Sequence, residues 1–450
     1  MRSRFKALAL PSALLAAFFA GIGAAACSSL SGAGRSAQGA PADTPYAAVE
    51  QLARVLVQIE NDYVDPVDRR KLLEGAVRGM VGELDPHSSY MSADEFTAFE
   101  ADTEGRFGGI GVEVETRDDK LVVLAPIEGS PADRAGVRSG DVIAAVDGKD
   151  PSAEPLDKLV KRLRGLPGTH VKVAIRRSGV ADLIQLDLAR AIVDVVSVSS
   201  KLLAHGVAYI RIAQFQEHTH DELLAAVGAL RQRAGGPLAG VIFDLRNDPG
   251  GLVDQAADVA DEFIDNGVLY TTRHRGQVVE EVTAHAGGAL ATEPCVTLVN
   301  QYTASAAELV AGALQDHKRA SIVGEPTFGK GSVQAIVSLP DGAGMRLTVS
   351  RYYTPSGHAI QADGVHPDVA VESPPADLAA SYREKDLEGH LHGEAAPAAP
   401  PKSVVVVAGD AGAPVEPSAG REARNVPDDP EQSGDAVLKV AWEMLRRGGR

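Results

Sequence analysis

Residues 295–310 read Cys295-Val296-Thr297-Leu298-Val299-Asn300-Gln301-Tyr302-Thr303-Ala304-Ser305-Ala306-Ala307-Glu308-Leu309-Val310, and the change of pattern inside this stretch decides the fold. The first residues form an apolar, β-branched run that reads as a buried strand, whereas Leu309, Val310, Ala313 and Leu314 recur at helical spacing. The same exchange repeats on either side. Val207 to Ile212, Val241 to Leu245, Ala320 to Gly324 and Val333 to Leu339 read as strands, and Leu252 to Ile264 and Ala304 to His317 as helices. Such alternation from about Ile192 to Val371 predicts an α/β layer on a largely parallel sheet.

Ser305 sits at one of these strand-to-helix switches. A helix N-terminus presents N–H groups without intrahelical partners and a partial positive charge. A nucleophile there would have the Ala306 amide as a donor for a developing oxyanion. Ser305-Ala306-Ala307-Glu308 is equally a capping box, whose serine only terminates a helix, and from this motif alone both readings stand. Upstream, the strand Val241 to Leu245 runs into Arg246-Asn247-Asp248-Pro249-Gly250-Gly251. Paired glycines let backbone amides approach a ligand closely, so the Gly251 N–H is a second candidate donor; a proline-entered turn is the alternative.

A serine hydroxyl needs a neighbour that can take its proton, and a lysine can do so only when held neutral. Lys330 follows Gly324-Glu325-Pro326-Thr327-Phe328-Gly329, which opens like a phosphate-binding loop. A nucleotide site is rejected, because Gly331 stands where Ser or Thr should bind magnesium and a strand follows where a helix should. Burial between glycines, Phe328 and that strand would lower the lysine pKa, the condition for a general base. A solvated surface lysine is the ordinary alternative. Gln334, four residues on, can point to the same side of the strand. Rival constellations are weaker. His218 and His220, two apart at a helix start, face different ways and suit a solvated cap better than a metal. Asp316 and His317 lie about 18 Å down the helix from Ser305, too far to take its proton.

Before this layer, Gly109-Ile110-Gly111-Val112, Ser130-Pro131-Ala132, Ala135-Gly136, Gly140-Asp141 and a helix from Pro155 to Arg164 follow one another. That order resembles a bacterial PDZ domain. In the resemblance a peptide's C-terminal carboxylate meets N–H groups of the Gly109–Gly111 loop, the peptide adds as a strand beside Val112 to Glu115, and Leu159 and Leu163 face its last side chain. Taken singly, these glycines read as a tight turn and these leucines as core.

From Tyr46 to Glu372 the chain resembles the carboxyl-terminal processing peptidases, or tail-specific proteases. Leu84-Asp85-Pro86-His87-Ser88-Ser89-Tyr90, the PDZ markers, Asp244 to Gly251, Thr303 to Ala306, Gly329-Lys330-Gly331-Ser332-Val333-Gln334 and Tyr352 to Gly357 all stand in family order. The resemblance implies a ClpP/crotonase-like α/β core with an inserted PDZ domain and an N-terminal helical region, cleaving proteins near their C-termini. It implies Ser305 as nucleophile, Lys330 as general base, Gln334 as the side chain orienting the lysine, and Gly251 and Ala306 as the oxyanion hole. Neither metal nor organic cofactor is implied, and the PDZ domain is expected to gate the site through a closed form in which Ser305 and Lys330 are out of register. Asp248 stands where the family commonly has Asn, Ala307 where it has Ser and His358 where it has Arg; the first puts the hydrogen bonding of the oxyanion loop in question. A silent peptide-binding scaffold and a crotonase-type acyl-transfer enzyme are the rivals, and the pairing of Lys330 with Gln334 argues against both.

The rest of the 450-residue chain sets the boundaries. A formal charge of −17 disfavours nucleic acid. Arg2, Arg4 and Lys6 precede an apolar run ending at Ala24-Ala25-Ala26-Cys27, an export signal over 1–26. Lipidation of Cys27 is expected there, with an ordinary Ala-x-Ala cut as the alternative, so the chain is expected in the periplasm or another extracytoplasmic place, anchored to the membrane when lipidated. Cys295 is expected to be an inert core thiol, and two cysteines make no disulfide framework. The expected divisions are a tether over 27–44, a helical region over 45–104, the PDZ domain over 105–190, the peptidase core over 191–372, a disordered Pro/Ala-rich linker over 373–434 and a C-terminal helix over 435–450. The helical region and the last helix are expected as surfaces for a homo-oligomer, and flexible protein C-termini as substrates.

Overall fold

The computed structural model describes residues 45–117, 120–127, 129–151, 156–372, 383–394, 403–406, 426–427 and 429–448. The expected signal peptide, Cys27 and the tether lie outside the described residues. Two compact units divide after Arg69. In the first, α1 (Pro45–Asp62) carries an Arg54–Glu50 pair one turn apart, and Arg69 reaches back to Glu60.

The second unit begins one residue into α2 (Arg69–Gly82) and continues with β1 (Ser89–Met91) and α3 (Ala93–Thr103). Then come β2 (Arg106–Gly109), β3 (Val112–Arg117), β4 (Lys120–Pro126), α4 (Pro131–Arg134), β5 (Val142–Val146), α5 (Leu156–Leu163), β6 (His170–Arg176), β7 (Ile184–Ala189) and β8 (Ala191–Asp194). Strands β3 to β7 form a five-stranded sheet in sequence order, every pair antiparallel, with β3 at its edge. Ser130 caps α4 by accepting the Asp133 N–H, and Pro131 holds the first helical position, where its missing N–H is not needed. Strands β2 and β8 pair antiparallel from Arg106↔Asp194 to Gly109↔Ala191, so the chain enters and leaves this region side by side, as an inserted domain requires.

After it come β9 (Val198–Leu202), β10 (Val207–Ile212), α6 (Thr219–Ala234), β11 (Gly240–Asp244), α7 (Val253–Asp261), β12 (Val268–His274), β13 (Gln277–Thr283), β14 (Cys295–Val299), α8 (Ala306–Asp316), β15 (Ala320–Gly324), β16 (Ser332–Ser338), β17 (Gly344–Tyr353), β18 (Val369–Glu372), β19 (Ser403–Val406) and α9 (Ala436–Gly448). The seven-stranded sheet runs β19-β18-β15-β14-β11-β10-β9, parallel throughout except for β9. Every residue of β10, β11 and β14 is buried, the mark of strands covered on both faces. On one face Val241 and Phe243 join Leu223 of α6, Val259 of α7 and Leu314 of α8. On the other, Ile242, Tyr209, Leu298 and Val323 meet Leu438, Ala441 and Trp442 of α9. The second sheet runs β1-β17-β12-β13, with β16 also paired on β17.

Three expectations change. The span 373–434 is not wholly a linker: residues 383–394 make specific contacts with the core, Val404 to Val406 extend the parallel sheet as β19, and Pro430–Gln432 form a helical turn. Its Pro/Ala-rich composition hides the few side chains that dock. Leu159 and Leu163, expected to face a bound peptide, are 2% and 4% exposed and pack with Ile110, Leu121 and Val173 in the core of the inserted domain. The apolar stripe of α9, expected as an assembly surface, is taken up by the chain's own sheet.

Trp442 is the chain's single tryptophan and is 1% exposed. Trp442→Ala is expected to lower stability by about 3–5 kcal/mol, measured by denaturant unfolding.

Candidate active site

The loops that follow the adjacent parallel strands β11, β14 and β15 converge at the C-terminal edge of the sheet, where an open α/β layer places its ligands. Thr303, fully buried, donates its hydroxyl to Leu245 O at 2.8 Å and accepts the Asn300 N–H at 3.0 Å. Asn247 and Asn300 hold each other, the Asn247 N–H on Asn300 Oδ1 at 3.0 Å and the Asn300 amide on Asn247 Oδ1 at 2.8 Å. Ala304 N–H donates to Asp248 O at 2.9 Å. Against this brace Ser305 is held at φ 56° and ψ −119°. That backbone region costs a residue with a Cβ about 1–3 kcal/mol and recurs where a strand-to-helix elbow turns a nucleophile outward.

Gly250 and Gly251 fit where no other residue would. A Cβ on Gly250 would lie 2.8 Å from both Ser305 Cβ and Ala306 N, and one on Gly251 would lie 2.0 Å from Phe215 O. Phe215 N–H donates to Gly250 O and Leu252 N–H to Phe215 O, each at 2.9 Å. In that parallel bridge the N–H of Gly251 faces away from Phe215, and it has no hydrogen-bond partner among the described residues. Ala306 is the first residue of α8, so its N–H also has no intrahelical acceptor.

The lysine loop is fastened to the serine loop by one side chain. Glu308, fully buried in the first turn of α8, accepts from Ser305 N at 2.8 Å and Lys330 N at 2.9 Å on the same oxygen, Oε2. Its other oxygen accepts from Gly329 N at 2.8 Å and from the Thr327 hydroxyl. Phe328 N–H donates to Thr303 O at 2.9 Å, a second tie between the loops. Burial pushes the Glu308 carboxyl up to about 7 against the pull of these donors. Burial likewise lowers Lys330, helped by the positive Arg346, while Glu384, Glu308 and Asp85 pull the other way.

Among the described residues no hydrogen bond joins the Lys330 amine to Ser305 or Gln334. The Gln334 amide nitrogen instead donates to Ser332 Oγ at 2.8 Å and more weakly to Thr348 Oγ1 at 3.3 Å. Around Lys330 stand groups that sequence reasoning missed. Gly331 N–H donates to Gln361 Oε1 at 3.0 Å, Gln361 Nε2 to Glu384 Oε1 at 2.8 Å, and His87 Nε2 shares a hydrogen bond of 2.7 Å with Glu384 Oε2. Asp85 accepts the N–H groups of His87 and Ser88 at 2.8 Å each, and Arg346 Nε donates to His87 O at 2.9 Å. The ordered Leu84–Tyr90 motif was the available signal for this wall; Glu384, inside an acidic Pro/Ala-rich stretch, gave none.

In the inserted domain Gly111, at φ 73°, accepts at its carbonyl from Ile127 N and Ser130 Oγ, and Ile110 is 2% exposed. Gly109 bridges to Arg164 at the end of α5. Val112 begins edge strand β3, whose outer side carries no strand among the described residues. Elsewhere His220 bonds Glu262, His218 stands at the N-cap position of α6 without a side-chain capping bond, Asp316 accepts the Ser356 N–H and His317 bonds Val268 O. Cys295 is buried, its thiol pushed up to about 12.

The model of peptidase family S41 matches residues 206–371, that of the PDZ domain residues 122–177, and that of the activating protease CtpB N-terminal domain residues 16–95. A carboxy-terminal-processing protease of Bartonella bacilliformis is 40% identical over 77% of this chain and 81% of its own. The carboxy-terminal processing protease CtpA of Bacillus subtilis is 36% identical over 74% of this chain and 71% of its own. The solved photosystem II D1 C-terminal processing protease is 32% identical, covering 76% of this chain and 91% of its own, with a TM-score of 0.46.

The Glu308 carboxyl has its folded pKa raised from an ordinary 4.5 to about 7. Its stabilising contribution is therefore complete below the ordinary value and is lost as pH rises through about 7. Glu308→Gln has no such titration. The stability of the wild type relative to this variant is expected to fall over that window, read by denaturant unfolding at a series of pH values.

Proposed function

The chain belongs to peptidase family S41, among the carboxy-terminal processing proteases, and is a serine peptidase with a PDZ domain; from that membership we propose how its residues divide the work. Ser305 attacks the scissile carbonyl, Lys330 takes the hydroxyl proton and returns it to the leaving amine, and the N–H groups of Gly251 and Ala306 receive the oxyanion. Gln334 orients the lysine. The observation that supports this division is the single Glu308 oxygen that accepts from both Ser305 N and Lys330 N, which keeps the two loops in hydrogen-bond range of one atom. The lowered pKa of Lys330 supports the base, since an amine must be neutral to accept a proton. The approach of its amine to Ser305 and Gln334 is assigned to substrate docking.

The substrate is a flexible protein C-terminus. Its carboxylate meets the Gly109–Gly111 loop and its chain adds along Val112, the start of an edge strand with no neighbour strand on its outer side among the described residues. With Leu159 and Leu163 already packed in the core, the last side chain is met at the surface above them or after α5 shifts. The basic start and apolar run of residues 1–26 support export, and Cys27 supports a lipid anchor on the extracytoplasmic face.

Incubation with an unstructured protein ending in apolar residues tests the reading. Ser305→Ala and Lys330→Ala are each expected to reduce cleavage by about a thousandfold or more with the fold intact; cleavage by Lys330→Ala at the wild-type rate would remove the base assignment. On its acid side wild-type kcat should rise with pH through a value below the ordinary lysine one of about 10.4, because the neutral amine is the active form. Amidating the substrate's C-terminus is expected to raise KM about tenfold and leave kcat in place, the signature of a lost carboxylate contact remote from the chemistry.

A further inference from the structure

Asp248 is buried in the oxyanion loop and has no part in the scheme above. It is 0% exposed. Its carbonyl accepts the Ala304 N–H at 2.9 Å and its Oδ1 accepts the Gly250 N–H at 2.8 Å, so it ties the glycine turn to the serine loop through both main chain and side chain. Its second oxygen, Oδ2, is buried without a hydrogen-bond partner. Arg211 is the cation whose charge acts on it. Arg211 of β10 lies 3.8 Å from Asp244 Oδ1, Arg246 pairs with Asp244 at 2.6 Å, and Glu308 of α8 is turned toward the lysine loop.

An ionised carboxylate with one N–H donor and an orphan oxygen is far more costly in such a place than a carboxylic acid. A negative charge here would also stand beside the oxyanion that Gly251 and Ala306 are assigned to stabilise, and like charges oppose each other. We propose that Asp248 acts as an un-ionised carboxylic acid, a positioning residue that fixes the Gly250 N–H and so aims the Gly251 N–H at the oxyanion without placing a charge next to it. The role rests on the oxyanion assignment of Gly251. Burial holds the carboxyl well above the usual range, against the opposing Gly250 N–H and Arg211. Asparagine would fill the same shape with no proton to lose.

The test compares the purified full-length protein with Asp248→Asn. In the wild type, kcat should fall by about tenfold per pH unit on the alkaline side as the acid ionises, with little change in KM; the variant should lack that fall. The raised folded pKa gives stability that is present below the ordinary aspartate value and lost as pH rises, so the wild type should lose stability relative to Asp248→Asn with increasing pH. Infrared spectra of wild type carrying carbon-13 in its aspartate carboxyls should contain a protonated-acid band at neutral pH that the variant lacks. If Asp248→Asn does not fold, the wild-type band decides alone. Absence of that band, superimposable pH profiles, or a folded variant inactive at every pH would each overturn the proposal. Failure of both proteins to cleave any substrate would remove the oxyanion assignment and the positioning role with it, while the band would still report the protonation state separately.

Discussion

The structure of the site depends on one buried carboxylate that must be satisfied. Glu308 has no exposure to water, and an uncompensated charge or acid at that position would be costly. Its acceptors are filled by Ser305 N, Lys330 N, Gly329 N and the Thr327 hydroxyl, groups from two loops that follow adjacent parallel strands. Register therefore matters: β14 and β15 pair Val299 with Gly324, which brings their C-terminal ends level. The glycines then follow as a steric consequence. Gly250, Gly251 and Gly331 lie where backbone from another loop comes within 2.7, 2.0 and 2.2 Å of a would-be Cβ, so a side chain at any of them would push the loops apart.

A second layer supports the lysine loop from the other side. Gln361 links Gly331 to Glu384, and Glu384 links to His87, so the Leu84–Tyr90 turn, the end of the core and a segment far along the chain meet behind Lys330. Arg383 adds a hydrogen bond to Asp363 O at 2.8 Å. The electrostatics are balanced rather than one-sided. Arg346 disfavours a charged lysine and three carboxylates favour it, and desolvation decides the direction.

The alternation of strand and helix, the parallel sheet, the elbow at Ser305 and the glycine loop were legible because each is a local pattern with a local cause. Glu308 was visible as the end of a capping box, and its bond to the Ser305 N–H is that box. Its other bonds, to the lysine loop, could not be read, since they depend on two strands lying side by side. Glu384 was hidden for a different reason: the composition around it reports average behaviour, while a single buried carboxylate is an exception to the average. Leu159 and Leu163 carried the same apolar signal whether they face a ligand or a core, and spacing along α5 does not separate those cases. The spacing of Gln334 from Lys330 suggested a shared side of the strand, yet the hydrogen-bond partners of Gln334 are Ser332 and Thr348, and the pairing of β16 shifts register between Val333 and Gln334.

The far face of the parallel sheet has a further implication for how the molecule comes into being. Tyr209, Ile242, Leu298 and Val323 find cover in α9, which follows every strand of that sheet along the chain. During synthesis that apolar surface stays open to solvent until residues 436–448 arrive, a long-range closure of the kind that slows assembly and invites association with other incomplete chains. The latch also touches the working edge, for Asp435, just before α9, holds Arg246 at 2.7 Å, and Arg246 holds Asp244 at the root of the glycine loop. A chain in which α9 has not yet docked thus lacks one brace of that loop, which ties competence to the closing of the sheet's far face.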